Sequence, residues 1–86
     1  MAITLDDLHS AGEVLTAAAT VREAAATWRA AHPAQRVVVV DAMDMRGETA
    51  ALRCGERSIY LASTDGHCWA ITEQPENATA LILTQD

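Results

Sequence analysis

Eighty-six residues, half of them apolar and none of them Phe, suffice for one core of small side chains and leave no room for a large internal ligand cavity. Six basic against twelve acidic residues give a net charge of −6, which excludes the phosphate-tracking stripe of a nucleic-acid binder and disfavours anionic membranes. No apolar run approaches the roughly 18 residues of a membrane span. The N-terminal stretch carries Asp6 and Asp7 and no basic residue, unlike a signal peptide, and two Cys without such a leader imply reduced thiols. A small, acidic, cytoplasmic protein of bacterial type is expected.

Thr4 and Asp7 stand at the spacing of a capping box, and Ser10 and Glu13 repeat it with the longer acid. A short turn over 5–10 followed by a main helix over 11–31 is predicted. Ala11, Val14, Ala18, Val21, Ala25 and Trp28 recur at spacings of three and four, the stripe of an amphipathic helix. Glu13, Thr16, Thr20, Glu23 and Thr27 fall opposite. Gly12 costs a helix about 1 kcal/mol, so a kink is expected near its start. Arg29 and His32 suit the negative end of the helix dipole, and Pro33 stops the helix.

The run 36–41 is continuous and β-branched, a strand buried on both faces or one that meets a partner. A polar, Met-bearing loop occupies 42–47. Residues 48–54 alternate as a strand, Gly55 and Glu56 make a two-residue turn, and 57–63 form the next strand. Asp65-Gly66 is a strong hairpin signal, placing a strand over 67–72; after a loop at 73–77 the last strand covers 79–84. The predicted fold class is α+β over a single domain, 1–86. One helix packs on one face of a four- or five-stranded antiparallel meander.

The two turns set a register. Leu52 is placed opposite Ile59, Leu61 opposite Ala70 and Ser63 opposite Cys68. One face then carries Ala50, Leu52, Cys54, Ile59, Leu61, Cys68 and Ala70, the natural seat of the helix. The other carries Arg53, Tyr60, His67, Trp69 and Ile71. With one helix available this second face meets water, and Tyr, Trp and Arg are the types enriched at binding hot spots. Periodicity alone does not choose which face the helix covers.

The leading functional expectation is a binding or accessory module acting by protein–protein contact through Arg53, Tyr60, His67, Trp69 and Ile71. It would be a homodimer or dock on a larger protein. A second is a metal- or redox-related accessory protein using His67, Cys68 or the Asp41/Asp44/Glu48 loop. Against it, the loop spacing matches no EF-hand and Arg46 sits among the acids. A third is a small enzyme with a site between subunits, but no nucleophile and base are placed together. Adjacent His67 and Cys68 point to opposite faces of a strand, and Cys54 and Cys68 lie too far apart for a disulfide. Lys is absent, as are phosphate-loop, nucleophile-elbow and Cys-x-x-Cys motifs, so no catalytic residues and no cofactor are expected.

Overall fold

The computed structural model describes residues 3–65 and 68–85, and for residues 64, 65, 68 and 69 the backbone alone. Helices α1 (Leu5–Ala17) and α2 (Val21–Ala31) precede β1 (Arg36–Val39). Strands β2 (Leu52–Cys54), β3 (Arg57–Asp65), β4 (Cys68–Thr72) and β5 (Ala80–Gln85) follow, with 3-10 turns at Ala42–Met45 and Pro75–Asn77. The α+β class is as expected. The helix layout and the strand order are not.

The single helix over 11–31 is corrected to two. The Thr4–Asp7 box starts α1 at Leu5: the Asp7 N–H donates to Thr4 Oγ1 at 3.0 Å and the Thr4 N–H donates to Asp7 Oδ2 at 3.2 Å. Ser10, expected as a cap, is interior to α1. The helix stops at Ala17, Ala18 turns extended, and Thr20 opens α2 by accepting from the Glu23 N–H at 3.1 Å. The break is held from the sheet. Arg57 Nη1 donates to the carbonyls of Leu15 and Ala18, both at 2.6 Å, and Nη2 to that of Ala19 at 2.8 Å. A cation thus sits at the negative end of α1 and occupies carbonyls that the helix itself leaves without partners.

The expected meander is corrected to a mixed sheet of order β1-β5-β3-β2. β5 runs parallel to β1, from Arg36↔Ala80 to Val39↔Leu83, and antiparallel to β3, from Arg57↔Gln85 to Ala62↔Ala80. Leu61 pairs with Thr72 of β4 and with Leu81 of β5, so those two strands flank β3. β2 and β4 therefore follow each other along the same edge of β3. The central place of β5 follows from its composition: Ala80 to Thr84 are all buried, and a strand apolar on both faces needs cover on both.

The β2–β3 register is the one predicted, with Leu52 opposite Ile59, and Gly55 takes φ +66° at the first turn position, as in type II′ hairpins. The expected strand over 48–54 shortens to three residues; beyond it, the Ala51 N–H donates to the Ile59 carbonyl at 2.8 Å. The β3–β4 register is corrected. Asp65 pairs with Cys68, and Leu61 faces Thr72 rather than Ala70. β3 keeps pairing one residue past Thr64, so Asp65 belongs to the strand. The shift is even, so it leaves each residue's face unchanged. Gly66 and His67 lie outside the described residues.

Both helices cover one face. Leu8, Ala11, Leu15, Ala24, Ala25 and Trp28 pack with Val37, Ile59, Leu61, Leu81 and Leu83, while Leu52 and Cys54 border this core. Gly12 permits the approach of α1 to β2: a Cβ there would meet Leu52 Cδ2 at 2.5 Å. The cover ends before β4, where Ala70 is exposed. A polar chain ties the far end. Trp28 Nε1 donates to Gln35 Oε1 at 2.9 Å, and Gln35 Nε2 donates to Asp7 Oδ2 at 3.0 Å. The Asp7 carboxyl is held below its ordinary value, chiefly by the Thr4 backbone N–H; Gln35, the Thr4 side chain and the charge of His32 add to this, and burial opposes it. No helix among the described residues is long and apolar enough to cross a membrane.

Candidate functional site

The opposite face has its own small cover. Met45, Tyr60, Ala62, Ala80 and Ile82 form a second buried cluster, bordered by Val38, Val40, Ala50 and Ile71. Met45 reaches it from the 3-10 turn that Asp41 opens, its Oδ1 accepting from the Met43 N–H at 3.4 Å. The segment expected as a polar loop thus lays one Met on the sheet, while Met43 stays 71 % exposed. Ala50 joins this cluster rather than the helix face, because 48–51 does not continue β2 as a strand.

The turn leaves a solvent-open hollow of about 490 Å³, lined by Asp41, Ala42, Met43, Met45, Arg46, Gly47, Glu48, Arg53, Tyr60 and Gln85. Two groups of residues treated separately in the sequence meet here. Arg53 and Tyr60 come from the expected interaction patch, and Asp41 and Glu48 from the acidic loop. Asp44 does not line the hollow and is exposed. Gly47, at φ +91°, bends the chain between Arg46 and Glu48 and gives both a place on the rim.

The other expected site residues are spread out. Arg53 is exposed on β2, opposite Ser58. Ile71 is half-buried on β4, opposite Ala62. Trp69 pairs with Thr64 through the backbone, and its side chain, like all of His67, lies outside what is described. Tyr60 differs most from expectation: it is only 7 % exposed, because Met45 and Ile82 share its cluster. The sequence reading missed Gln85 as a neighbour of this site. Gln85 borders the hollow from the end of β5, while its side chain accepts from Arg57 on the helix side of the sheet.

Among the described residues no group of three or more His, Cys, Asp or Glu is placed to hold a metal ion. Asp41 is engaged as a backbone cap. Cys54 is a free thiol at the edge of the helix-side core, its Sγ donating to the Gly12 carbonyl at 3.7 Å. It sits at one end of β3, opposite Arg57, and Cys68 at the other, opposite Asp65. His32 stacks on Trp28 with ring centroids 3.9 Å apart, well inside ordinary stacking range.

No protein-family model, curated protein or solved structure matches this chain.

Proposed function

We propose that this protein is a small binding module that works by docking against another protein surface, a second copy of itself in the first instance, through the sheet face that no helix covers. The observation that carries the reading is Met43. It is a large apolar side chain left 71 % exposed on the same face as exposed Arg53 and half-buried Ile71. Met adapts its shape to a partner, and Arg is enriched at hot spots. Tyr60 supports the patch from beneath rather than forming its surface. Trp69, on β4 with Ile71, and His67 complete the proposed contact region.

Sedimentation velocity over a wide concentration range tests the proposal, with Met43→Ser, Ile71→Ser and Trp69→Ala as variants. The expected result is reversible dimerisation that Met43→Ser weakens while the circular dichroism spectrum stays unchanged. A chain that remains monomeric throughout, or a dimer indifferent to all three substitutions, would overturn it.

A further inference from the structure

The hollow beneath Met43 holds a feature that docking does not explain. The Tyr60 side chain is more than nine-tenths buried, yet its hydroxyl makes no hydrogen bond to any described residue. No fully buried side-chain polar atom among the described residues lacks a partner, so this hydroxyl is not sealed off, and Tyr60 lines the hollow. A fixed ring whose phenol has no protein partner and opens into the hollow is a ready hydrogen-bonding point for a ligand.

The surrounding groups define the ligand's chemistry. Arg46 is exposed and its guanidinium makes no ion pair with a described residue. Arg53 adds a second positive charge to the lining. Asp41 and Glu48 bring two carboxylates to the rim, and Met43 and Met45 bring apolar walls. A phosphate or a simple carboxylate would meet two acids here, and a simple cation would meet two arginines. A zwitterion satisfies both signs.

We infer that the hollow binds a free amino acid with an apolar side chain. Its carboxylate is taken by Arg46 and the Tyr60 hydroxyl, its ammonium by Glu48 and Asp41, and its side chain lies against Met43 and Met45. Guanidinium–carboxylate and phenol–carboxylate contacts are the charge-assisted kind that give small ligands their orientation. The hollow shares Met43 and Arg53 with the proposed docking face, so a ligand and a second copy would compete for it, and the titration is made at concentrations where sedimentation shows a single chain.

Titration of the 15N-labelled protein with L-leucine tests it, alongside isocaproate, which lacks the ammonium, isoamylamine, which lacks the carboxylate, and inorganic phosphate. The expected result is saturable amide shifts confined to residues 41–48, 53, 60 and 85 with L-leucine, and binding at least about tenfold weaker for each of the other three, the scale of one lost charge-assisted bond. Tyr60→Phe retains the buried ring and should also weaken L-leucine about tenfold. Arg46→Gln, on an exposed side chain, should do the same without touching the core. Unchanged shifts in α2 and β1 confirm that each variant is folded. No saturable shift with L-leucine, equal binding of phosphate or isoamylamine, or wild-type affinity in Tyr60→Phe would each overturn the inference.

Discussion

Replacing Arg57 with Met keeps most of the aliphatic stem and removes the guanidinium that closes α1. Four hydrogen bonds disappear: those to the carbonyls of Leu15, Ala18 and Ala19, and the one to Gln85. They do not weigh equally. Leu15 is fully buried, so its carbonyl has no water to turn to and bears the full cost of an unsatisfied group, about 1–3 kcal/mol. Ala18 is half-buried and Ala19 exposed, so water replaces much of what they lose. Loss of the charge at the helix end adds about 0.3–1 kcal/mol. The sum is a destabilisation of about 1–4 kcal/mol, equivalent to a fall in Tm on the order of 5–30 °C for a chain of this size. Urea unfolding followed by circular dichroism checks it; the midpoint should fall with the m-value unchanged. Arg57→Lys should recover less than half, because a single ammonium nitrogen cannot stand where Nη1 and Nη2 both stand. A loss below about 0.5 kcal/mol in Arg57→Met, on the scale of an ordinary surface change, would refute the reasoning. So would full rescue by Lys.

Two further outcomes follow from the packing and the charges. The Asp7 carboxyl is held below its ordinary value of 3.8, so its contribution is complete above that pH and is lost as pH falls through the lower folded value. Melting curves of the wild type and Asp7→Asn should therefore differ near neutrality and converge in acid; a gap that stays constant with pH would contradict this. Leu81→Ala empties a fully buried position in the central strand and should cost about 2–5 kcal/mol in denaturant unfolding, more than Leu52→Ala at the half-exposed edge. Equal costs at the two positions would argue against a central β5.

Features fixed by neighbours in the chain were legible in the sequence. The Thr4–Asp7 pair caps α1, Gly55 makes the β2–β3 turn, and the face carrying Ile59 and Leu61 receives the helices. The break at 18–20 was not, because its second half comes from Arg57, about 40 positions away, although Thr20 and Glu23 repeat the capping spacing. Alternation along a strand says nothing about which strand lies beside it, so the insertion of β5 next to β1 was hidden as well. At the site, the acidic loop and the Arg53–Tyr60 face were each visible as residue patterns. Their meeting depends on Met45 folding back onto the sheet, and no local signal marks Met45 apart from Met43.

The position of β5 also bears on the order of folding. Among the described residues β1 has β5 as its only strand neighbour, and Arg36 pairs with Ala80, 44 positions further along. The β2–β3 and β3–β4 ladders both close between residues three positions apart, so these contacts can form in microseconds. β1 must wait for a long loop to close before any of its ladder bonds exist. Until then its run of valines is an unpaired edge, the kind of surface that recruits strands from other molecules. The most aggregation-exposed moment in the life of this chain is therefore the interval between the formation of the β2–β3–β4 unit and the arrival of residues 80–85.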